Sequence, residues 1–210
     1  MMGVYRGVAI VAYFLGSISF SVIFSRKFAG FDVREKGSKN AGSTNMLRTV
    51  GKKGAIITLI CDILKGVIAI LIAMLIAKIA NITEPSKILL MKYIAGFAVI
   101  LGHTYPIFFE FRGGKGVATS LGVLLMLNWK IGLIALIFAL LLMAFTKMVS
   151  VGSISAAILY PILVLFIEDR KNFGVILISW LIAILVIFNH RTNIKRLKEG
   201  KENKISFSKR

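Results

Sequence analysis

The chain has 210 residues, 57% of them hydrophobic, and a formal charge of +18 from 27 Lys and Arg against 9 Asp and Glu. A mean hydropathy of +0.84 exceeds what a water-soluble domain of this size could hide, so lipid must act as its solvent. The lone Cys61 cannot form an intrachain disulfide, and with no internal repeat or low-complexity linker the chain reads as one membrane domain over 1–210.

A membrane span needs roughly 20 apolar residues. The first apolar run is 4–25. It reads as a retained span rather than a signal peptide, because cleavage would leave the basic stretch 26–54 as an external N-terminus, against the positive-inside bias. That stretch holds Arg26, Lys27, Arg34, Lys36, Lys39, Arg48, Lys52 and Lys53 against Asp32 and Glu35. Within it, Gly37-Ser38-Lys39-Asn40-Ala41-Gly42-Ser43-Thr44-Asn45-Met46-Leu47-Arg48 sets small hydroxyl and amide side chains between glycines. Such a loop is tight and donor-rich, and Arg48 offers a fork that suits phosphate or carboxylate. An ordinary solvated loop, with Ser43 or Thr44 capping the next helix, fits the same composition.

The second span, 55–80, contains Asp62 and Lys65, three apart and so on one helical face. They are expected to form a structural ion pair marking the face that points inward, since an ionisable pair in a span must meet protein or water. A near-neutral connection, 81–88, leads to the third span, 89–109, with His103 near its end and Pro106 breaking it. Next comes Phe111-Arg112-Gly113-Gly114-Lys115-Gly116-Val117-Ala118-Thr119. Adjacent glycines let backbone N–H groups crowd round an anion, Lys115 matches its charge, and the small residues after it can open a helix facing the same place. The plain alternative is a glycine-rich turn between two helices. A nucleotide P-loop is not present, because its first Gly and its Ser or Thr are replaced by Phe109 and Gly116.

The stretch 117–147 is interrupted by Asn128-Trp129-Lys130. Trp and Lys favour the headgroup region, so the reading is two short helices, 117–128 and 131–147. One long helix through the interruption, giving six spans, is the alternative. Runs at 153–168 and 173–190 complete seven spans, joined by a turn with Ser150 and Ser153 and by the near-neutral 168–172. The two serines suit helix capping as well as anion contact. His190 and Asn193 share a face at the end of the last span. The tail 191–210 carries Arg191, Lys195, Arg196, Lys198, Lys201, Lys204, Lys209 and Arg210 against Glu199 and Glu202. The Lys/Arg bias then predicts an all-α polytopic protein with its N-terminus outside. Segments 26–54, 110–116, 147–152 and the tail fall in the cytoplasm, an arrangement that seven spans satisfy and six do not. Most of the charge thus lies on one face, where topology and anionic lipid headgroups account for it better than nucleic acid does.

Four donor-rich turns from different helices fall on that face, with no acidic ring, no His/Cys cluster and no carboxylate pair among them. The site is expected to bind anions without metal or cofactor. An organic-phosphate transporter would instead show paired repeats and broken helices, and a purely structural lipid-binding protein leaves the Gly-Gly-Lys-Gly turn unexplained.

Several of these motifs resemble, in order, those of the bacterial PlsY-type acyltransferases. They are Gly37-Ser38-x-Asn40-x-Gly42-x-Thr44-Asn45-x-x-Arg48, Asp62-x-x-Lys65-Gly66, Gly102-His103-x-x-Pro106 with the glycine loop, the Ser150 turn, and His190-x-x-Asn193-Ile194-x-Arg196-Leu197-x-x-Gly200-x-Glu202. The match runs from about Leu15 to Glu202. Lys39, where Gly is common, and Ser43, where Ala is common, add side chains to the first loop. The resemblance implies seven helices round a cleft open to the cytoplasm of a bacterial cell. It implies acyl transfer from acyl phosphate to the 1-hydroxyl of glycerol 3-phosphate, giving lysophosphatidic acid and inorganic phosphate without a covalent acyl-enzyme. Ser38, Arg48, Lys115, His190 and Asn193 carry over as functional positions, and Glu202 as a structural one. Gly113, Gly114, Lys115, Gly116, Asn45, Ser150, Ser153 and His103 are the candidate phosphate contacts, with Asp62 and Lys65 structural. No His-x-x-x-x-Asp dyad follows His103 or His190, so the base is His190 or the substrate's own phosphate, whose second pKa is near ~6. Its substrates and membrane lipids are the expected partners of a monomer.

Overall fold

The computed structural model describes residues 1–204; Lys209 and Arg210 of the basic tail lie outside the described residues. Among these residues the helices are α1 (Met2–Gly16), α2 (Phe20–Ala29), α3 (Ser43–Thr49), α4 (Lys52–Ile79), α5 (Pro85–Thr104), α6 (Val117–Leu127), α7 (Trp129–Thr146), α8 (Val149–Ile167), α9 (Phe173–Asn189) and α10 (Arg191–Lys198).

The first apolar span is longer than 4–25 and is broken. Met2–Ala29 forms one 28-residue apolar segment, but its helix is interrupted at Ser17–Ser19 between α1 and α2. The sequence reading expected no broken helix. Carbonyls freed by a break within lipid must find donors, and Lys65 of α4 supplies them, donating from Nζ to Gly16 O at 3.1 Å and to Ile18 O at 3.0 Å. Its charge is met by Asp62, whose Oδ1 lies 2.8 Å away, and both side chains are fully buried.

Helices α6 and α7 are separate, which removes the single long helix of the six-span alternative. Asn128 between them is extended, and its side chain accepts from the amides of Lys130 and Ile131, capping α7. The two form a hairpin, with Gly132 packed directly on the Leu125 backbone. α6 is only 11 residues long, well short of the roughly 20 a span requires. Among the described residues, by length and composition, five segments can cross a membrane, or six if α9 and α10, bent 57° apart, count as one.

Close helix crossings organise the bundle. A Cβ on Gly16 would strike the Val99 carbonyl and one on Gly102 the Tyr13 carbonyl, so α1 and α5 meet backbone to backbone. Gly66 against Thr119 and Gly122 against Ile63 do the same for α4 and α6. Lipid tails are as apolar as leucine side chains, so such contact, rather than exclusion of water, brings helices together. Tyr93, Met91, Ile70, Val99 and Val123 fill the centre, while Phe145, Phe166 and Phe173 project outward almost fully exposed.

Candidate active site

A cavity of about 400 Å³ opens at the end of the bundle that carries the first loop, the glycine loop and α10. Its mouth is polar, lined by Ser38, Arg48, Lys115, Ser150, Ser153, His190 and Asn193 among others. Its inner arm is apolar and runs between α4, α6, α7, α8 and α9.

The first loop is shaped from within by Asn45, at the start of α3. The Asn45 amide donates to the carbonyls of Val33, Lys36 and Asn40, and its Oδ1 accepts the Ser38 N–H at 2.9 Å. Asn45 was expected to touch phosphate; its side chain is instead occupied in folding the loop. Neither Ser43 nor Thr44 caps α3, whose N-cap is Gly42, with no side-chain cap. Lys39 adopts φ +58°, the left-handed region that a side chain strains and glycine does not, at the position where glycine is the common residue of the resemblance. Arg48 is exposed at the mouth, with no hydrogen-bond partner among the described residues.

A buried bridge ties this loop to the segment before the glycine loop. Arg34 grips Asp32 with Nε and Nη2, at 3.0 and 2.8 Å, and donates from Nη1 to Phe109 O at 2.7 Å. Burial disfavours the Asp32 carboxylate, but bonds from the Arg34 side chain and amide and from Arg26 outweigh it, holding its pKa at about 2. Neither Asp32 nor Arg34 was singled out from the sequence, where they read only as two charges of a basic loop.

In the glycine loop the two glycine amides expected to cradle an anion are already engaged. The N–H of Gly113 donates to Thr104 O and that of Gly114 to His103 O, both at 3.1 Å, so these two amides close the end of α5 and are not available to an anion. Their lack of side chains serves contact: a Cβ on Gly113 would strike His103 O, and one on Gly114 the His103 ring and, at 2.8 Å, Ala41 O. Gly116 has φ +87° and starts α6. The amides left without a backbone partner among the described residues are those from Lys115 to Thr119, that is, the two residues before α6 and its first turn.

The far side of the mouth is fixed by Glu202. Its Oε1 accepts from Ser150 Oγ at 3.0 Å and Asn193 Nδ2 at 2.7 Å, and its Oε2 from Arg196 Nε at 2.9 Å. Burial raises the Glu202 carboxyl pKa, yet the bonds from Asn193, Arg196 and Ser150 keep it below the usual range. Ser150 therefore bonds the tail rather than capping α8, and Ser153 bonds Val149 O. Lys115 Nζ donates to Asn193 Oδ1. Burial, with the nearby charges of Arg196 and Arg48, lowers the Lys115 pKa to about 8, although Glu202 pulls the other way. His190 is buried, and its Nδ1 lies 2.7 Å from Val186 O. A carbonyl only accepts, so Nδ1 carries the proton and Nε2 is left as the acceptor.

His103 sits between the glycine loop and the buried ion pair, with Nδ1 3.4 Å from Asp62 Oδ1. It and Asp62 reach the cavity wall, as does Ser120, which the sequence reading missed and whose buried Oγ has no partner among the described residues. The sequence reading left the acyl chain to the bilayer or an apolar groove and named none of the residues that line the arm. Its signal was the run of small residues at helical spacing, Gly132, Ala135 and Ala139, inside a very apolar segment. No three His, Cys, Asp or Glu side chains converge among the described residues.

A family model described as glycerol-3-phosphate acyltransferase matches residues 7–200. A glycerol-3-phosphate acyltransferase of Clostridioides difficile (strain 630) is 45% identical, covering 98% of this chain and 97% of its own. One of Shouchella clausii (strain KSM-K16) is 45% identical over 92% of both chains. Among solved structures, the integral membrane glycerol 3-phosphate acyltransferase PlsY in its glycerol 3-phosphate form is similar with a TM-score of 0.84 and 36% identity, over 96% of each chain. Its lysophosphatidic acid form gives 0.81 and 34%, over 96% of this chain and 95% of that one.

Proposed function

The chain belongs to the glycerol-3-phosphate acyltransferase family, and from that we propose that it transfers an acyl chain from acyl phosphate to the 1-hydroxyl of glycerol 3-phosphate, the first acylation of phospholipid synthesis. One observation carries this reading: a single cavity joins a mouth bearing Arg48, Lys115 and the free amides of α6 to an apolar arm. Two anionic heads can be held at the mouth while the acyl chain lies in the arm.

The 1-hydroxyl oxygen attacks the acyl carbonyl carbon, and the bond from that carbon to the phosphate oxygen breaks. Lysophosphatidic acid and inorganic phosphate leave. An acyl phosphate is a mixed anhydride and already activated, so neither ATP nor a covalent acyl-enzyme is needed. Lys115, Arg48 and the α6 amides stabilise the charge that grows on the carbonyl and phosphate oxygens. The hydroxyl proton passes to the substrate's own phosphate, whose second pKa near ~6 leaves it able to accept at neutral pH. Ser38 orients groups around the attack. His190 as base is the second reading, favoured by its bond to Val186, which leaves Nε2 as an acceptor at the cavity wall.

In this reading the protein is a monomer of a bacterial cell membrane with seven spans. Its N-terminus is outside, and its C-terminus and cavity mouth are at the cytoplasm. α6 is the short seventh span, tolerable because it borders protein. Neither metal nor nucleic acid takes part. Purified protein given acyl phosphate and glycerol 3-phosphate in EDTA should release inorganic phosphate only when both are present, and acyl-coenzyme A should not replace the donor. Release that ignores glycerol 3-phosphate, or a need for a thioester or a divalent ion, overturns the proposal.

A further inference from the structure

The apolar arm has a floor. α4 lines the cavity with Leu59, Asp62 and Ile63, and on the other four helices its wall ends with one residue each: Leu124 on α6, Gly132 on α7, Tyr160 on α8 and Ile182 on α9. From Ser150 at the mouth to Tyr160 is ten residues of α8, about 15 Å at a rise of 1.5 Å per residue. A zigzag of C–C bonds of ~1.5 Å fills that depth with roughly a dozen methylenes.

Among those four residues Tyr160 has the largest side chain. It is 2% exposed, and its hydroxyl oxygen is wholly inaccessible with no partner among the described residues, so the ring rather than the hydroxyl meets the arm. Tyr93 of α5, buried completely, packs in the same core beyond it. Tyr160 also precedes Pro161 inside α8.

We infer that the Tyr160 ring closes the arm and sets the acyl chain length the enzyme prefers. The inference rests on the proposed reaction, which supplies the occupant. A donor chain whose phosphate sits at the Lys115 and Arg48 mouth finds apolar lining along the arm, and one of the similar solved structures is the lysophosphatidic acid form of its protein. Chains that fit are buried along their whole length. Longer ones must turn aside at the ring and gain nothing from their last carbons.

The test is kcat/KM for a series of saturated acyl phosphates, from decanoyl to stearoyl, with wild type, Tyr160→Phe, Tyr160→Leu and Tyr160→Ala in the same bilayer discs. Truncation opens space towards Tyr93, so preference should move to longer chains by about fourfold for each methylene that enters. The alanine variant should move it further than the leucine variant. Tyr160→Phe should keep the wild-type profile, and the KM for glycerol 3-phosphate should not change in any variant. Tyr160→Leu retains apolar bulk and answers the question by itself if the alanine variant does not fold. An unchanged length profile in the truncated variants, or a shift in Tyr160→Phe as large as theirs, overturns the floor. A wild type that turns over no acyl phosphate would instead overturn the proposed reaction.

Discussion

Burial and the positive charges of Arg196 and Arg48 bring the Lys115 ammonium down from its ordinary 10.5 to about 8, despite Glu202. Lys115 is therefore charged below about 8 and loses its charge as pH rises through that value. The phosphate of glycerol 3-phosphate behaves oppositely in function, becoming a competent proton acceptor above its second pKa of ~6. With substrate assistance, kcat/KM should rise through ~6 and fall through about 8, giving a bell. Lys115→Arg keeps its charge throughout this range. Its alkaline limb should move up or vanish, while its maximum falls because the guanidinium fork does not reproduce the ammonium's contact with Asn193. An alkaline limb unmoved in Lys115→Arg assigns that limb to another group.

The glycine loop and α6 act as one element, held against the end of α5 by the amides of Gly113 and Gly114. Gly114→Ala places a methyl against the His103 ring and the Ala41 carbonyl. The loop must shift, taking the free amides of α6 with it. The KM for glycerol 3-phosphate should rise several-fold, with the apparent KM for acyl phosphate changing much less and the protein still inserted and folded. A rise in the donor's KM alone would mean that α6 holds the leaving phosphate. Much of this architecture was legible in the sequence, for reasons of solvent: lipid demands long apolar runs, and Asn128-Trp129-Lys130 announced the α6–α7 turn by its polarity. The break between α1 and α2 was not legible, because Ser17-Ile18-Ser19 leaves the run apolar and the donors that complete it come from Lys65 on another helix. The cations of the mouth could be named from composition and spacing. Which amides remain free depends on how α5 ends, and no local pattern at Gly113-Gly114 reveals that.

For the whole molecule, the Lys/Arg asymmetry predicts the orientation in the membrane. Single cysteines at Ser86 and Asn172 should react with an impermeant reagent added outside intact cells, and cysteines at Lys39 and Lys201 only after permeabilisation. External labelling at Lys39 would refute the orientation. The contacts that complete the mouth also impose an order of assembly. Arg34 reaches Phe109 across 75 residues of sequence, Lys115 reaches Asn193 across 78, and Ser150 reaches Glu202 across 52. Loop closures of that span are slow to form, and Glu202, which holds two of the four turns, is made after every helix it joins. A chain still being synthesised thus carries its cations before it carries the clamp that aligns them. Under the proposed reaction, a chain cut before Glu202 should keep its cations yet fail to hold Ser150, Asn193 and Arg196 in register, and so should not turn over.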